Sequence, residues 1–148
     1  MQLGNSAGEP AIRSASYSPP SGWERAEWLV KGDRGRKALE YSIGTTGTEE
    51  AKAFVEATDF SARHVLVHQQ TFGRCRSLQL EQLLWRAAER TASGGFEIAM
   101  EYGPGEREVR CPDDVSEYAL ATMVRVPSDI ERITRFTSGT VNVGPDDC

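Results

Sequence analysis

Period-two alternation of apolar and polar side chains recurs along this chain and predicts most of its elements. Tyr118, Leu120, Thr122, Val124 and Val126 alternate until Pro127, which has no N–H with which to extend a ladder, so this stretch reads as a strand. Phe96, Ile98 and Met100 repeat the pattern until Gly103-Pro104-Gly105. Val65 and Val67 lie between His64 and His68 in a run dense in β-branched residues, which predicts a strand over 63–70. Ile130 to Phe136 is a weaker candidate. Leu39, Tyr41 and Ile43 alternate with Glu40 and Ser42. With Trp23 to Lys31 as the other arm and Gly32-Asp33-Arg34-Gly35 as the turn, residues 23–43 read as a hairpin.

Helical spacing shows in two places. Thr46-Gly47-Thr48-Glu49 has the spacing of a capping box, and Glu49 and Glu50 suit the positive end of a helix dipole. Ala51, Phe54, Val55 and Thr58 then share one face, predicting a short helix at about 48–57 that covers part of a sheet. The second place is ambiguous. Leu80, Leu83, Leu84, Ala87 and Ala88 make a helical stripe ahead of Gly94-Gly95, yet Leu78 and Leu80 alternate as in a strand. Local propensity alone favours a helix over 79–92.

Composition narrows the class. The chain has 148 residues, with 39% apolar and 26% charged, enough for one domain with its own core. Residues 1–22, rich in Gly, Ser, Ala and Pro, read as a flexible N-terminal arm, with a single β-rich domain over 23–148. No apolar run reaches the roughly 18 residues of a membrane span. Met1 to Ser6 lacks the basic and apolar regions of a secretory signal. A net charge of −5 argues against nonspecific binding to nucleic acid or to anionic membrane. Lysine is scarce: Lys31, Lys37 and Lys52 are the only three among 17 basic residues, as in a GC-rich or salt-adapted source.

The chemistry-bearing residues form no familiar catalytic pattern. His64 and His68, four apart on a strand, lie about 13 Å from each other, too far to share a metal, and read as two half-exposed strand residues. No phosphate loop and no nucleophile elbow is present, so neither catalytic nor metal-binding residues are assigned and no cofactor is expected. Asp113-Asp114 reads as a solvated turn ahead of a cation site. Lys31, Arg34, Arg36 and Lys37 cluster about the first turn as weak candidates for an anionic ligand or partner, or simply as a charged tip that keeps an edge soluble. Trp23, Trp28 and Trp85 read as core before groove. Cys75, Cys111 and Cys148 are too few and too scattered for a zinc ribbon. Cysteine arithmetic leaves a Cys75–Cys111 disulfide and three free thiols equally open.

Residues 38–148 contain a block that resembles an uncharacterised haloarchaeal protein family of unknown function. Its signature is an "AFVEATDF…VLVHQ" run, here Ala53 to Phe60 and Val65 to Gln69, followed by a "C-x-x-L-x-L…W" pair matched by Cys75, Leu78, Leu80 and Trp85. Cys111, the strand end Arg125-Val126-Pro127 and Cys148 match further positions. The resemblance implies a strand after Leu80, a Cys75–Cys111 bridge and an extracytoplasmic setting. Its relatives carry another cysteine near Glu81; without it Cys148 has no mate. It brings no activity.

Taken together, these features predict a mainly β fold, an antiparallel sandwich or small barrel with one short helix at about 48–57. An α+β fold with a second helix at about 79–92 is the alternative. The functional expectation is a noncatalytic extracytoplasmic or cell-surface module that binds protein or glycan. A small metal- or cysteine-dependent enzyme and a cytosolic interaction or inhibitor domain are the competing readings.

Overall fold

A computed structural model describes residues 1–5, 10–14, 25–73, 78–88, 95–104 and 117–140. In chain order the elements are β1 (Gln2–Asn5), β2 (Ile12–Ser14), β3 (Arg25–Val30), α1 (Asp33–Lys37), β4 (Leu39–Tyr41) and α2 (Thr48–Glu56). The longer strands follow: β5 (Arg63–Gly73), β6 (Leu78–Ala87), β7 (Gly95–Pro104), β8 (Glu117–Pro127) and β9 (Arg132–Thr140). The fold is mainly β, with three sheets ordered β1-β8-β5-β3, β2-β4 and β6-β7-β9 and no closed barrel among the described residues. Residues 79–92 therefore contribute strand and not helix, as far as Ala87.

The four-stranded sheet is the middle layer. On one face Val65, Val67, Ala121 and Met123 meet Ile12 of β2, Ala51 and Val55 of α2, and the part-buried Leu39 and Tyr41 of β4. On the other, Leu66, Leu120 and Val126 meet Ile98, Met100, Tyr102 and Phe136 of the third sheet. Because both faces are covered, Val65, Leu66 and Val67 are all fully buried, and β5 reads as a continuous apolar run instead of an alternation. The clean alternation in β8 conceals the same burial, since Ala119, Ala121 and Met123 fill the intervening positions.

Residues 1–5 and 10–14 correct the expectation of a loose arm over 1–22. β1 pairs antiparallel with β8, matching Leu3 to Ala121, and Leu3, Ala11 and Ile12 are buried. A segment too short and polar to form a core alone borrows the apolar faces of strands far along the chain. The expected 23–43 hairpin is corrected in the same way. Both arms contain strands, but β3 pairs with β5 and β4 with β2. The intended turn is the helical turn α1, where Arg36 Nε donates to Asp33 Oδ1 at 3.3 Å.

The helix at 48–57 forms as Thr48–Glu56, with Ala51 and Val55 buried. Its capping box does not form. Gly47 is the N-cap, in the left-handed region at φ 89°, and Thr46 instead donates its hydroxyl to the Gly4 carbonyl of β1 at 3.3 Å. At the other end the Thr58 hydroxyl donates to Phe54 O, and Arg125 of β8 donates to both Phe54 O and Thr58 Oγ1.

One pairing departs from the antiparallel expectation: β7 and β9 run parallel. Between them the chain crosses to the middle sheet as β8 and returns, so two reversals restore the original direction. β6 pairs antiparallel with β7 and is bulged between Leu80 and Gln82. Glu81 packs over Gly103, whose missing side chain leaves room for the Glu81 carboxyl arm.

Candidate functional site

Both histidines belong to the interior, which corrects the half-exposed reading. β5 holds His64 and His68 on its third-sheet side, 8% and 1% exposed. His64 Nδ1 lies 2.8 Å from the Ile130 carbonyl, so that nitrogen carries the proton and donates. His68 Nδ1 lies 2.8 Å from the Tyr102 hydroxyl, which in turn donates to Thr122 Oγ1 at 3.0 Å. The His68 ring also packs on Phe136, with centroids 4.9 Å apart. Burial pushes the Tyr102 phenol up to about 12, with the Thr122 hydrogen bond acting weakly the other way. Three polar side chains from β5, β7 and β8 thus tie the middle sheet to the third.

The outward-facing chemistry lies on the other side of the third sheet. Strand registers align two rows across it: Arg86, Glu97 and Arg135, then Leu84, Ala99 and Thr137. Arg86 Nε donates to Glu97 Oε2 within the first row. These rows, with Trp85 and Ile98 between them, border an open hollow of about 310 Å³. Trp85 pairs with buried Ile98, yet it is 46% exposed because β6 ends its sheet. Its core reading is corrected; Trp28, which packs against the α2 side of the middle sheet, keeps it. The hollow has an apolar floor from Leu84 and Ala99 and a charged rim of two guanidiniums and one carboxylate. Such a surface can stack an apolar or ring-shaped group while bonding polar groups around it.

The sequence reading assigned none of Leu84, Arg86, Glu97, Arg135 or Thr137. The available signal was the 82–86 stretch read as strand, where Leu84 and Arg86 share a face; the bulge after Leu80 hides that phase from the leucines before it. In the basic cluster of the first turn, Lys31, Arg34 and Lys37 are exposed, and Arg36 lies near Asp33 and near Glu56 at 3.9 Å. None of the four lines the hollow. Cys75, Cys111, Cys148, Trp23 and Asp113-Asp114 lie outside the described residues.

Among the described residues no group of three or more His, Cys, Asp or Glu side chains is placed to hold a metal ion. No helix among them is long and apolar enough to cross a membrane. Comparison with protein-family models, with curated proteins and with solved structures finds no match for this chain.

Proposed function

We propose that this chain is a noncatalytic binding module whose recognition surface is the outer face of the β6-β7-β9 sheet. The observation that carries the reading is the hollow over Leu84 and Ala99, with exposed Trp85 beside it and Arg86, Glu97 and Arg135 along its rim. Its volume falls at the lower end of the range for small-ligand and side-chain pockets. The buried polar groups His64, His68, Gln69, Tyr102 and Thr122 support it too, since all make interior hydrogen bonds that hold layers together. The ligand class is a protein side chain or a glycan, either of which offers an apolar patch ringed by polar groups.

An extracytoplasmic setting and membership of the haloarchaeal family rest on the resemblance of residues 38–148, including its Cys75–Cys111 bridge. Peptide mapping without reductant tests the setting: a Cys75–Cys111 cross-linked peptide is expected, and three alkylatable thiols in the native protein overturn it. For the binding reading, the purified chain is screened on glycan and peptide arrays. Hits are then titrated by tryptophan fluorescence with the Trp85→Ala and Arg135→Ala variants. Binding weakened about tenfold or more by either substitution is expected. No hit, or binding indifferent to both substitutions, overturns the assignment.

A further inference from the structure

Three large apolar side chains are exposed among the described residues: Ile43 in a turn, and Leu84 and Trp85 adjacent on β6. β6 is a ten-residue end strand, and among the described residues nothing pairs with its outer edge. The opposite end strand, β9, carries exposed Arg132 and Arg135, the kind of charge that discourages edge pairing. From Gln82 to Trp85, β6 carries no charge at all. An uncharged edge topped by two exposed apolar residues is a template for another strand.

We infer that the strand it takes is β6 of a second copy of this chain, paired antiparallel about a two-fold axis through Leu84. Alternation fixes the register. Residues opposed across an antiparallel pair share a face, and an axis perpendicular to the sheet carries outer face onto outer face. The axis must therefore pass through a residue and not between two. Centred on Leu84, it sets Leu84 against Leu84 of the second copy, Leu83 against Trp85, and Gln82 against Arg86. Centred on Leu83, it would set Leu84 against Gln82 and Trp85 against Glu81; centred on Trp85, it would set Leu84 against Arg86. An axis through Arg86 would set Leu84 against Ala88 and Trp85 against Ala87, but it opposes Arg86 to its own copy, like charge on like. The Leu84 axis covers both exposed apolar residues with apolar ones and opposes no like charges. It also brings Glu81 and the second copy's Arg86 to neighbouring positions, twice by symmetry.

The product is a six-stranded sheet, β9-β7-β6 continued by β6-β7-β9 of the second copy, with the two hollows on the same side. A ligand with repeated groups is then held at two points. The inference goes beyond the binding reading and does not depend on the ligand of the hollow.

The test is made on the full chain without ligand. Sedimentation velocity and light scattering over roughly 1 µM to 1 mM are expected to show a reversible monomer–dimer equilibrium. Leu84→Lys is expected to raise its dissociation constant about tenfold or more, with the circular dichroism unchanged. Directly opposed Cα atoms lie about 4.5–5.5 Å apart, within the Cα range that a disulfide spans. Oxidised Leu84→Cys is therefore expected to cross-link through its introduced thiols, as located by peptide mapping. Ala87→Cys, opposed to Glu81 and remote from its own mate, is not. A chain monomeric throughout, a dimer indifferent to Leu84→Lys, or equal cross-linking at both positions overturns the inference, whether or not another protein's strand takes the edge.

Discussion

Gln69 and Ile12 meet as two strand residues would, although one of them offers only a side chain. The Ile12 N–H donates to Gln69 Oε1 at 3.2 Å, and Gln69 Nε2 donates to the Ile12 carbonyl at 2.6 Å. Both residues are fully buried. The amide thereby joins β2 to the middle sheet without a shared backbone ladder. Replacing Gln69 with Leu leaves both Ile12 groups without that partner, at a cost of about 2–4 kcal/mol in urea denaturation. Gln69→Glu is worse near neutral pH, where a buried carboxylate faces a carbonyl. Its deficit relative to the parent chain shrinks as pH falls and the acid recovers a proton to donate. A deficit independent of pH would contradict this pairing.

Tyr102 supplies an alkaline signature. Its folded phenol titrates at about 12, whereas an exposed phenol titrates near 10. A neutral folded phenol adds nothing to the pH dependence below 10, where the unfolded chain is protonated too. Between 10 and 12 the unfolded state loses its proton first, so stability falls by roughly 2–3 kcal/mol across that window. Phenolate absorbance of the native protein should show a late step from Tyr102, besides Tyr41, whose phenol is also held above its ordinary value by burial and by Glu56. Tyr102→Phe should remove that late step and flatten this part of the alkaline decline. At neutral pH it should cost about 1–2 kcal/mol through the lost links to His68 and Thr122.

Arg125 ends α2 from outside. Its guanidinium sits 4.0 Å from the Phe54 ring centroid and donates to Phe54 O and Thr58 Oγ1. Arg125→Ala should lower stability by about 1–2 kcal/mol and speed amide exchange most at Ala57 and Thr58. Arg125→Lys, with a point charge in place of the planar fork, should recover only part of the loss. Equal protection in all three chains would show that the contact contributes nothing.

Two glycines at similar φ should respond differently to alanine. Gly47, at φ 89°, would place a Cβ 3.0 Å from the Gln2 carbonyl oxygen, while Gly44, at φ 83°, has open space. Gly44→Ala bears only the left-handed backbone cost of about 1 kcal/mol, and Gly47→Ala adds crowding against β1 for about 2–3 kcal/mol. Thermal melts of the two variants compare them directly. A larger loss at Gly44 would overturn the argument.

What was legible in the sequence follows from where each residue finds its partner. α2, β5, β7 and β8 carry their own periodicity or composition, so Ala51, Val55, Val65 and Val126 announced themselves. β1 and β2 carry four and three residues, and their burial depends on Ala121, Gln69 and Tyr41, none of them near in sequence. The 23–43 hairpin failed for the same reason: Trp28 is matched to Val67 and Tyr41 to Ile12. β6 was readable as strand only through the family resemblance, because Leu80, Leu83 and Leu84 fit a helical stripe as well. The histidines were placed on the right strand but assigned the wrong environment. Alternation reports one covered face, and β5 has two. The hollow was invisible because its rows run across strands, joining Arg86 to Arg135 through Glu97.

The matching of Gln2 to Thr122 also sets an order of assembly. The middle sheet places β8 between β1 and β5, so β1 lacks its strand neighbour, and β5 has only β3, until most of these 148 residues have been made. Loop closure over that span delays the reward for pairing, and refolding should run on the slower, millisecond-to-second scale of β-rich topologies. On the ribosome, Val65, Leu66 and Val67 emerge well before β8 can shelter them. That interval is the chain's period of greatest exposure to aggregation, and it ends when Tyr118 to Val126 clear the exit tunnel.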